Sequence, residues 1–186
     1  MFQHTLLAAA LLGVATLASA AGFTLTSPDI KANAMIDKKY EFNGFGCAGE
    51  NKSPALKWSG APKDTRSFAV TVYDPDAPTG SGWWHWSVVN LPADTTELKG
   101  DAGAVGGANL PKGAANLRTD FDAAAFGGVC PPQGDKPHRY IFTVHALKTD
   151  KLDIPADATA AQAGLMVTAN TIAKASFTVK YGRAKK

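Results

Sequence analysis

The chain has 186 residues, with 19 Lys and Arg against 16 Asp and Glu, for a net charge of +3. The charge is scattered, and its one cluster, Arg183, Lys185 and Lys186, is the solvated tail of the chain. Composition therefore gives no ground for a nucleic-acid binder, and the length is that of one domain with a real core.

The first 20 residues, MFQHTLLAAALLGVATLASA, carry an apolar run from Leu6 to Leu17 followed by Ala18, Ser19, Ala20. This Ala-x-Ala ending predicts a secretory signal peptide cut after Ala20. A retained anchor fits less well, because a membrane-spanning helix needs about 20 apolar residues, although the leader lacks the usual Lys or Arg. The mature protein, residues 21–186, is then expected in the periplasm or outside the cell as a single domain without a transmembrane segment.

Short apolar or alternating runs follow: Phe23 to Thr26, Ala55 to Trp58, Ser67 to Tyr73, His85 to Leu91, Arg139 to Leu147 and Ser176 to Tyr181. Gly, Pro, Asn and Asp separate them, which is the punctuation of a β-rich domain. Ser67 to Tyr73 has the apolar character of a strand covered on both faces. One helix is predicted over about Ala158 to Ala175, with Asp157 as N-cap and Leu165, Met166, Ala169, Ile172 and Ala173 at helical spacing. Between Gly100 and Ala125 lies a long segment with little periodicity, which reads as a functional loop or an excursion over a site.

Cys47 and Cys130 are the only cysteines. An even count in an exported protein favours a disulfide, the alternative being two buried free thiols. Neither belongs to a CxxC pair, which argues against a metal site built on them. Gly44, Gly46 and Gly49 formally match G-x-G-x-x-G, but Asn51 to Pro54 prevents the helix a dinucleotide site requires, so the segment reads as a turn. The sequon Asn51-Lys52-Ser53 is followed by Pro54, which makes it a poor glycosylation site. Nucleophile-elbow, phosphate-loop and H-E-x-x-H motifs do not occur in the sequence.

Two stretches hold the polar chemistry. DPDAP (Asp74 to Pro78) ends one strand and GWWHW (Gly82 to Trp86) opens the next; FGGVCPPQGDKPHRY (Phe126 to Tyr140) runs through turns into a third. Side chains at strand ends are held by a rigid sheet while loops shape the opening. Read singly, Asp74 and Asp76 are also ordinary turn caps, and Trp83, Trp84 and Trp86 are ordinary core or wall. His145 falls out of phase with Tyr140 and Phe142 and reads as structural or exposed.

Together these stretches resemble the phosphatidylethanolamine-binding protein family, in particular its bacterial Raf kinase inhibitor-like branch of the YbhB/YbcL type. The resemblance runs from about Phe23 to Arg183 and includes NKSPALKWSG (Asn51 to Gly60), VYDPDAPTGSGWWHW, the GG-x-CPP-x-GD-x-PHRY pattern and AKASFTVKYGR. It implies a predominantly β, β-rich α+β fold: a central antiparallel-rich sheet packed on a second, smaller sheet, with a C-terminal helix on the other side. It also implies a small pocket at one edge for anions such as phosphate or a phospholipid headgroup, with no cofactor. Motif by motif, the family's pocket residues fall on Asp74, His85, His138 and Tyr140, with Pro78, Trp83, Val129 and Cys130 lining the wall. Phe126 stands where tyrosine is usual and Val129 where proline is common, which removes a hydroxyl and some rigidity at the rim.

The chemistry is intelligible from the side chains alone. Imidazoles and a phenol can donate to phosphoryl oxygens, and backbone amides of the Gly127 to Cys130 turn can add donors. Asp74 would repel a phosphate unless it supports an imidazolium, holds an amine, or accepts from a protonated phosphate oxygen. The leading expectation is an exported, non-catalytic protein binding a small anionic or phosphorylated ligand. A second is an inhibitor or regulator of an extracytoplasmic protein such as a protease, with its partner loop sought in 100–125. A third is a metal-dependent hydrolase using Asp74, His85 and His138.

Overall fold

A computed structural model describes residues 22–155 and 157–185; the predicted signal peptide lies outside them. The strands in chain order are β1 (Thr24–Thr26), β2 (Asn43–Gly44), β3 (Cys47–Ala48), β4 (Leu56–Ser59), β5 (Ser67–Asp74), β6 (Trp83–Pro92), β7 (Glu97–Leu98), β8 (Ala115–Asn116), β9 (His138–Leu147) and β10 (Thr171–Tyr181). One helix, α1 (Ala160–Asn170), precedes β10. All six expected strand runs are present, with ends shifted by up to five residues.

Seven of the eight residues of β5 are buried. A strand without a polar face must be covered on both sides, and β5 lies in the middle of a five-stranded antiparallel sheet, order β10-β9-β5-β6-β8. On one side lies the smaller sheet β1-β4-β7. Phe23, Leu25, Leu56, Trp58 and Leu98 from that layer meet Phe68, Val70, Val72, Trp86, Val88 and Phe142 in one buried cluster. Each such side chain contributes about 1.5–3 kcal/mol when fully buried.

On the opposite side α1 sets Val167 against Ala69, Val89 and Leu147. The helix is shorter than 158–175, and it is capped by Thr159 with a reciprocal Gln162 bond instead of by Asp157. Its buried face is Ala160, Ala163 and Val167, while Leu165 is 70% exposed. Residues 171–175 already belong to β10, because pairing with β9 starts at Thr171 opposite Leu147. Small residues let the helix sit close to the sheet: a methyl at Gly164 would press on the Trp84 ring.

Cys47 and Cys130 form the expected disulfide, with a Cα–Cα distance of 6.1 Å. The GFGCAG segment is a hairpin between β2 and β3, as a turn reading requires. Arg183, near the C-terminal end, donates to the Gly46 and Pro131 carbonyls and lies 2.9 Å from Cys47 Sγ, so one side chain ties both flanks of the disulfide.

Candidate functional site: a histidine-lined pocket at one end of the central sheet

Antiparallel pairing brings the end of β5 and the starts of β6 and β9 to the same edge. Opposite Tyr73 stand Trp84 on one neighbour and Ile141 on the other. The residues just beyond, DPDAP, GWWH and PHR, therefore converge although the chain separates Asp74 from His138 by 64 positions. Two acid–base pairs join the first motif to the last. Asp74 Oδ2 accepts from His138 Nδ1 at 2.8 Å, and Asp76 accepts from Arg139 Nε and a terminal guanidinium nitrogen at 2.9 and 2.7 Å. The Arg139 guanidinium, the first cause, holds the Asp76 carboxyl down to about 2. Asp74 uses its other oxygen to accept from the Asp76 amide at 2.8 Å, which is the turn-capping role expected of an Asp before proline.

His85 reaches the same place by a different device. The register between β5 and β6 shifts between Val72–Trp86 and Tyr73–Trp84, leaving His85 as an extra residue on β6. Such a bulge re-aims side chains. Trp84 packs on Tyr73 and faces Gly164 of the helix layer, yet Trp86 joins the opposite core cluster. In unbroken alternation these two tryptophans would share a face; the bulge between them turns His85 toward Asp74 and His138. Gly82 makes the entry to β6 possible: its φ is +70°, and a Cβ there would overlap the Tyr73 hydroxyl.

The three side chains floor a cavity of about 190 Å³. Its walls are Ala77, Pro78, Thr79 and Trp83 on one side and Cys130, Pro131 and Pro132 on the other, with Phe45 and Phe121 at the mouth. Phe121 packs edge-on against both Trp83 and His85, at centroid distances of 5.5 and 5.1 Å. Phe45, 73% exposed, stacks on the outer side of Phe121. Asp74, His85 and His138 are 3%, 3% and 4% exposed, so polar groups sit at the bottom of an aromatic and prolyl funnel.

The hydrogen bonds fix what the imidazoles can do. His85 Nδ1 lies 2.8 Å from the Gly127 carbonyl and 3.1 Å from that of Gly128. Both are acceptors, so Nδ1 carries the proton. Burial pushes the His85 imidazole down from its usual value, against the opposing pull of those carbonyls and of Asp74. For His138, the Asp74 carboxylate on Nδ1 sets ring orientation, and Nε2 lies 3.5 Å from Asp135 Oδ2.

Six of the eight predicted site residues, Asp74, Pro78, Trp83, His85, Cys130 and His138, line this cavity. Tyr140 and Val129 do not. Tyr140 shares a face with His138 but stands two residues, about 7 Å, further along the strand. It is fully buried with its ring edge-on to His85 at 5.0 Å. Its hydroxyl has no hydrogen-bond partner within accepted geometry, and burial, then Asp74, pushes the phenol up. Val129 gives both backbone groups to Tyr40 and Phe42, which seats its side chain in the core.

The expected amide donors of the Gly127 to Cys130 turn are also mostly spent. Gly127 donates to the His85 carbonyl, Gly128 to Asn51 Oδ1 and Val129 to the Tyr40 carbonyl. The turn thus presents carbonyls to His85. Asn51, the first residue of the NKSPALKWSG motif, braces this turn through both ends of its amide. Sequence reasoning missed Phe45 and Phe121; the one signal for Phe121 was the long loop around it, and a lone phenylalanine in a polar stretch says nothing of where it packs.

Among the described residues no group of three or more His, Cys, Asp or Glu side chains is placed to hold a metal ion, and no helix is long and apolar enough to cross a membrane. Asp74 and His138 are instead paired with each other, and His85 with two backbone carbonyls.

Fold and site define a two-sheet β protein with a histidine-lined pocket at one end of the central sheet. A family profile described as phosphatidylethanolamine-binding protein matches residues 26–182, and the chain belongs to that family. It is 53% identical over 180 residues to the UPF0098 protein YbcL of Escherichia coli, covering 96% of this chain and 98% of the relative. To YbhB of the same organism it is 46% identical over 157 residues, covering 84% and 98%. The crystal structure of E. coli YbcL, described as a new member of the mammalian PEBP family, superposes with a TM-score of 0.85 at 55% identity, covering 87% of this chain and 99% of that one.

Proposed function

We propose that the pocket binds a small phosphorylated or otherwise anionic ligand, such as phosphate or a phospholipid headgroup, in an exported protein that does not turn its ligand over. One observation carries this reading: two imidazoles and their carboxylate partner meet at the floor of a small apolar funnel. Polar groups converging in such a concavity are what orients a ligand that the walls desolvate. The funnel size of about 190 Å³ suits a headgroup and not a whole lipid. Membership of a family described as phosphatidylethanolamine-binding supports the same class of ligand. The binding role, as opposed to catalysis, is supported by Cys130: the thiol at the pocket wall is tied into a disulfide and is no nucleophile. Export is supported by the leader, and intact mass of periplasmic material beginning at Ala21 tests it.

Native mass spectrometry with inorganic phosphate and phosphoethanolamine tests the binding reading. The wild type should retain one equivalent and His138→Ala none. Equal retention by the two proteins removes this pocket from the account.

A further inference from the structure

The two sulfurs of the disulfide at the pocket wall stand in different surroundings. Cys130 lines the cavity, whereas Cys47 does not and is 6% exposed. The Arg183 guanidinium lies 2.9 Å from Cys47 Sγ and is held there by the Gly46 and Pro131 carbonyls, at 2.7 and 2.8 Å. Cys130 Sγ faces carbonyl oxygens instead, those of Gly44 at 3.8 Å and Phe45 at 4.0 Å. One sulfur thus has access and negative neighbours, and the other has burial and a fixed cation.

We propose that the bond between Cys47 and Cys130 is a directional thiol-exchange site: a small thiol entering the pocket attacks Cys130, Cys47 leaves as a thiolate beside Arg183, and the adduct on Cys130 occupies the pocket. Attack needs the cavity but no ligand in it, so it does not depend on the anion binding proposed above.

In thiol–disulfide exchange the electron pair of the entering thiolate forms the new S–S bond, and the pair of the old bond departs on the leaving sulfur. One thiolate is consumed and one released, so no oxidant or reductant besides the thiol is required. A leaving thiol of lower pKa departs faster, and a neighbouring arginine lowers it. Glu41, a buried carboxylate that accepts from the Ala48 amide at 2.9 Å, opposes charge on Cys47. It also accepts from the Tyr181 hydroxyl at 3.2 Å, while Arg183 touches the sulfur itself. The opposite direction is disfavoured twice. Attack on Cys47 meets a buried sulfur, and the leaving charge falls on Cys130, beside two carbonyl oxygens and in a cavity floored by the Asp74 carboxylate. Access and leaving-group stability select the same sulfur.

The adduct has a defined consequence. The cavity holds about 190 Å³, so even a small group attached to Cys130 takes up space a ligand would need. The hairpin that carries Phe45 loses its covalent tie to the Pro131 and Pro132 wall, yet Arg183 still bonds to both flanks. Cys47 therefore stays close, and its return displaces the thiol and restores the pocket. Small thiols close and reopen the site.

Cysteamine is the probe, because its ammonium offsets the charge of its own thiolate beside Asp74. The folded protein is mixed with cysteamine, quenched at early times with excess N-ethylmaleimide and mapped by peptide mass spectrometry. Cysteamine should sit on Cys130 and maleimide on Cys47, by about 10 to 1 or more, since access and leaving-group pKa act together. An even or reversed distribution overturns the proposal, and so does the absence of any adduct on the folded protein. Glutathione, too bulky for this cavity, should react at least about 10-fold more slowly than cysteamine once each is scaled to its rate with free cystine; equal scaled rates place the attack outside the pocket and overturn it. Arg183→Gln should slow the exchange about 3- to 10-fold, and Arg183→Lys, which keeps the charge, should recover most of the rate. An unchanged or faster rate in folded Arg183→Gln overturns the role of the guanidinium. If that variant does not fold, the position of the adduct in the wild type decides alone.

Discussion

His138 and His145 stand on the same strand, seven residues apart and on opposite faces of the central sheet, and they do opposite things. His145 spends both ring nitrogens on neutral hydroxyls: Nε2 lies 3.1 Å from Thr71 Oγ1 and Nδ1 3.2 Å from Thr171 Oγ1. It ties β5, β9 and the start of β10 together under the helix layer and offers nothing to a visitor. His138 spends Nδ1 on Asp74 and lines a cavity with the rest of its ring, and His85 on β6 repeats the pattern with two carbonyls. Residue type therefore does not define the site. What defines it is which face of the sheet the fold turns the ring toward, and whether the ring there lines a cavity.

The largest effect we expect concerns the frame that supports the pocket face alone. Replacing Cys47 and Cys130 together by serine opens a crosslink that spans 83 residues, worth about 4–5 kcal/mol by loop entropy. Urea denaturation measures the loss. Hydrogen exchange should rise first in the hairpin around Phe45 and last in the sheet beneath α1; uniform loosening of both faces breaks the comparison.

Next in size is His138→Ala. It leaves the buried Asp74 carboxylate with only the Asp76 amide, and removing one member of a buried pair costs about 3–5 kcal/mol. His145→Ala removes bonds between neutral partners and should cost about 1–2 kcal/mol without touching ligand retention. Comparable ligand loss in both variants contradicts the separation of roles.

Acid separates the two faces again. Burial, and then Lys174, hold His145 down to about 4, while the unfolded chain takes up its proton near 6.5. In that interval the unfolded state binds more protons, so stability is fully present above pH 6.5 and falls as the pH drops toward 4, by about 3 kcal/mol. His85, also held below its usual value, adds loss of the same sign. In His145→Gln the slope of stability against pH between 6.5 and 4 should be visibly flatter; an unchanged slope refutes the assignment. Asp76 stays ionised to about 2, so its contribution disappears only below 3.8 and does not blur that window.

The smallest effect is at the rim, where Asp76 pairs with Arg139. Both side chains are substantially exposed, at 31% and 53%, and such pairs are worth less than about 1 kcal/mol. Asp76→Asn should barely change stability, yet it loosens the tie between DPDAP and PHRY, so a modest loss of ligand affinity with intact stability is the expected pattern.

Much of this was legible in the residues. Strongly apolar β5 declared itself as a central strand, and rare motifs in the right order located Asp74, His85 and His138. The bulge was not legible. GWWHW has the alternation of any strand, and nothing in it says that Trp84 and Trp86 face opposite ways; that depends on register against β5, a long-range property. The helix overran for a related reason: Ile172 and Ala173 keep helical spacing, but pairing with β9 claims them from Thr171 onward. The motifs suggest Tyr140 as a pocket donor and Val129 as wall because their motif neighbours line the cavity, whereas depth along a strand and backbone pairing put both behind it. Phe121 was hidden because a loop's aromatic has no periodicity to betray its target.

The central claim is that imidazoles turned into the cavity at one end of the sheet form a ligand site while a histidine saturated by hydroxyls on the other face does not. Long-range ¹H–¹⁵N histidine spectra titrated with methyl phosphate at pH 5 test it most directly. Nε2 of His85 and of His138 should both move with a common saturation curve while His145 stays fixed. Stationary His85 and His138 signals, or a His145 response of equal size, would contradict the account.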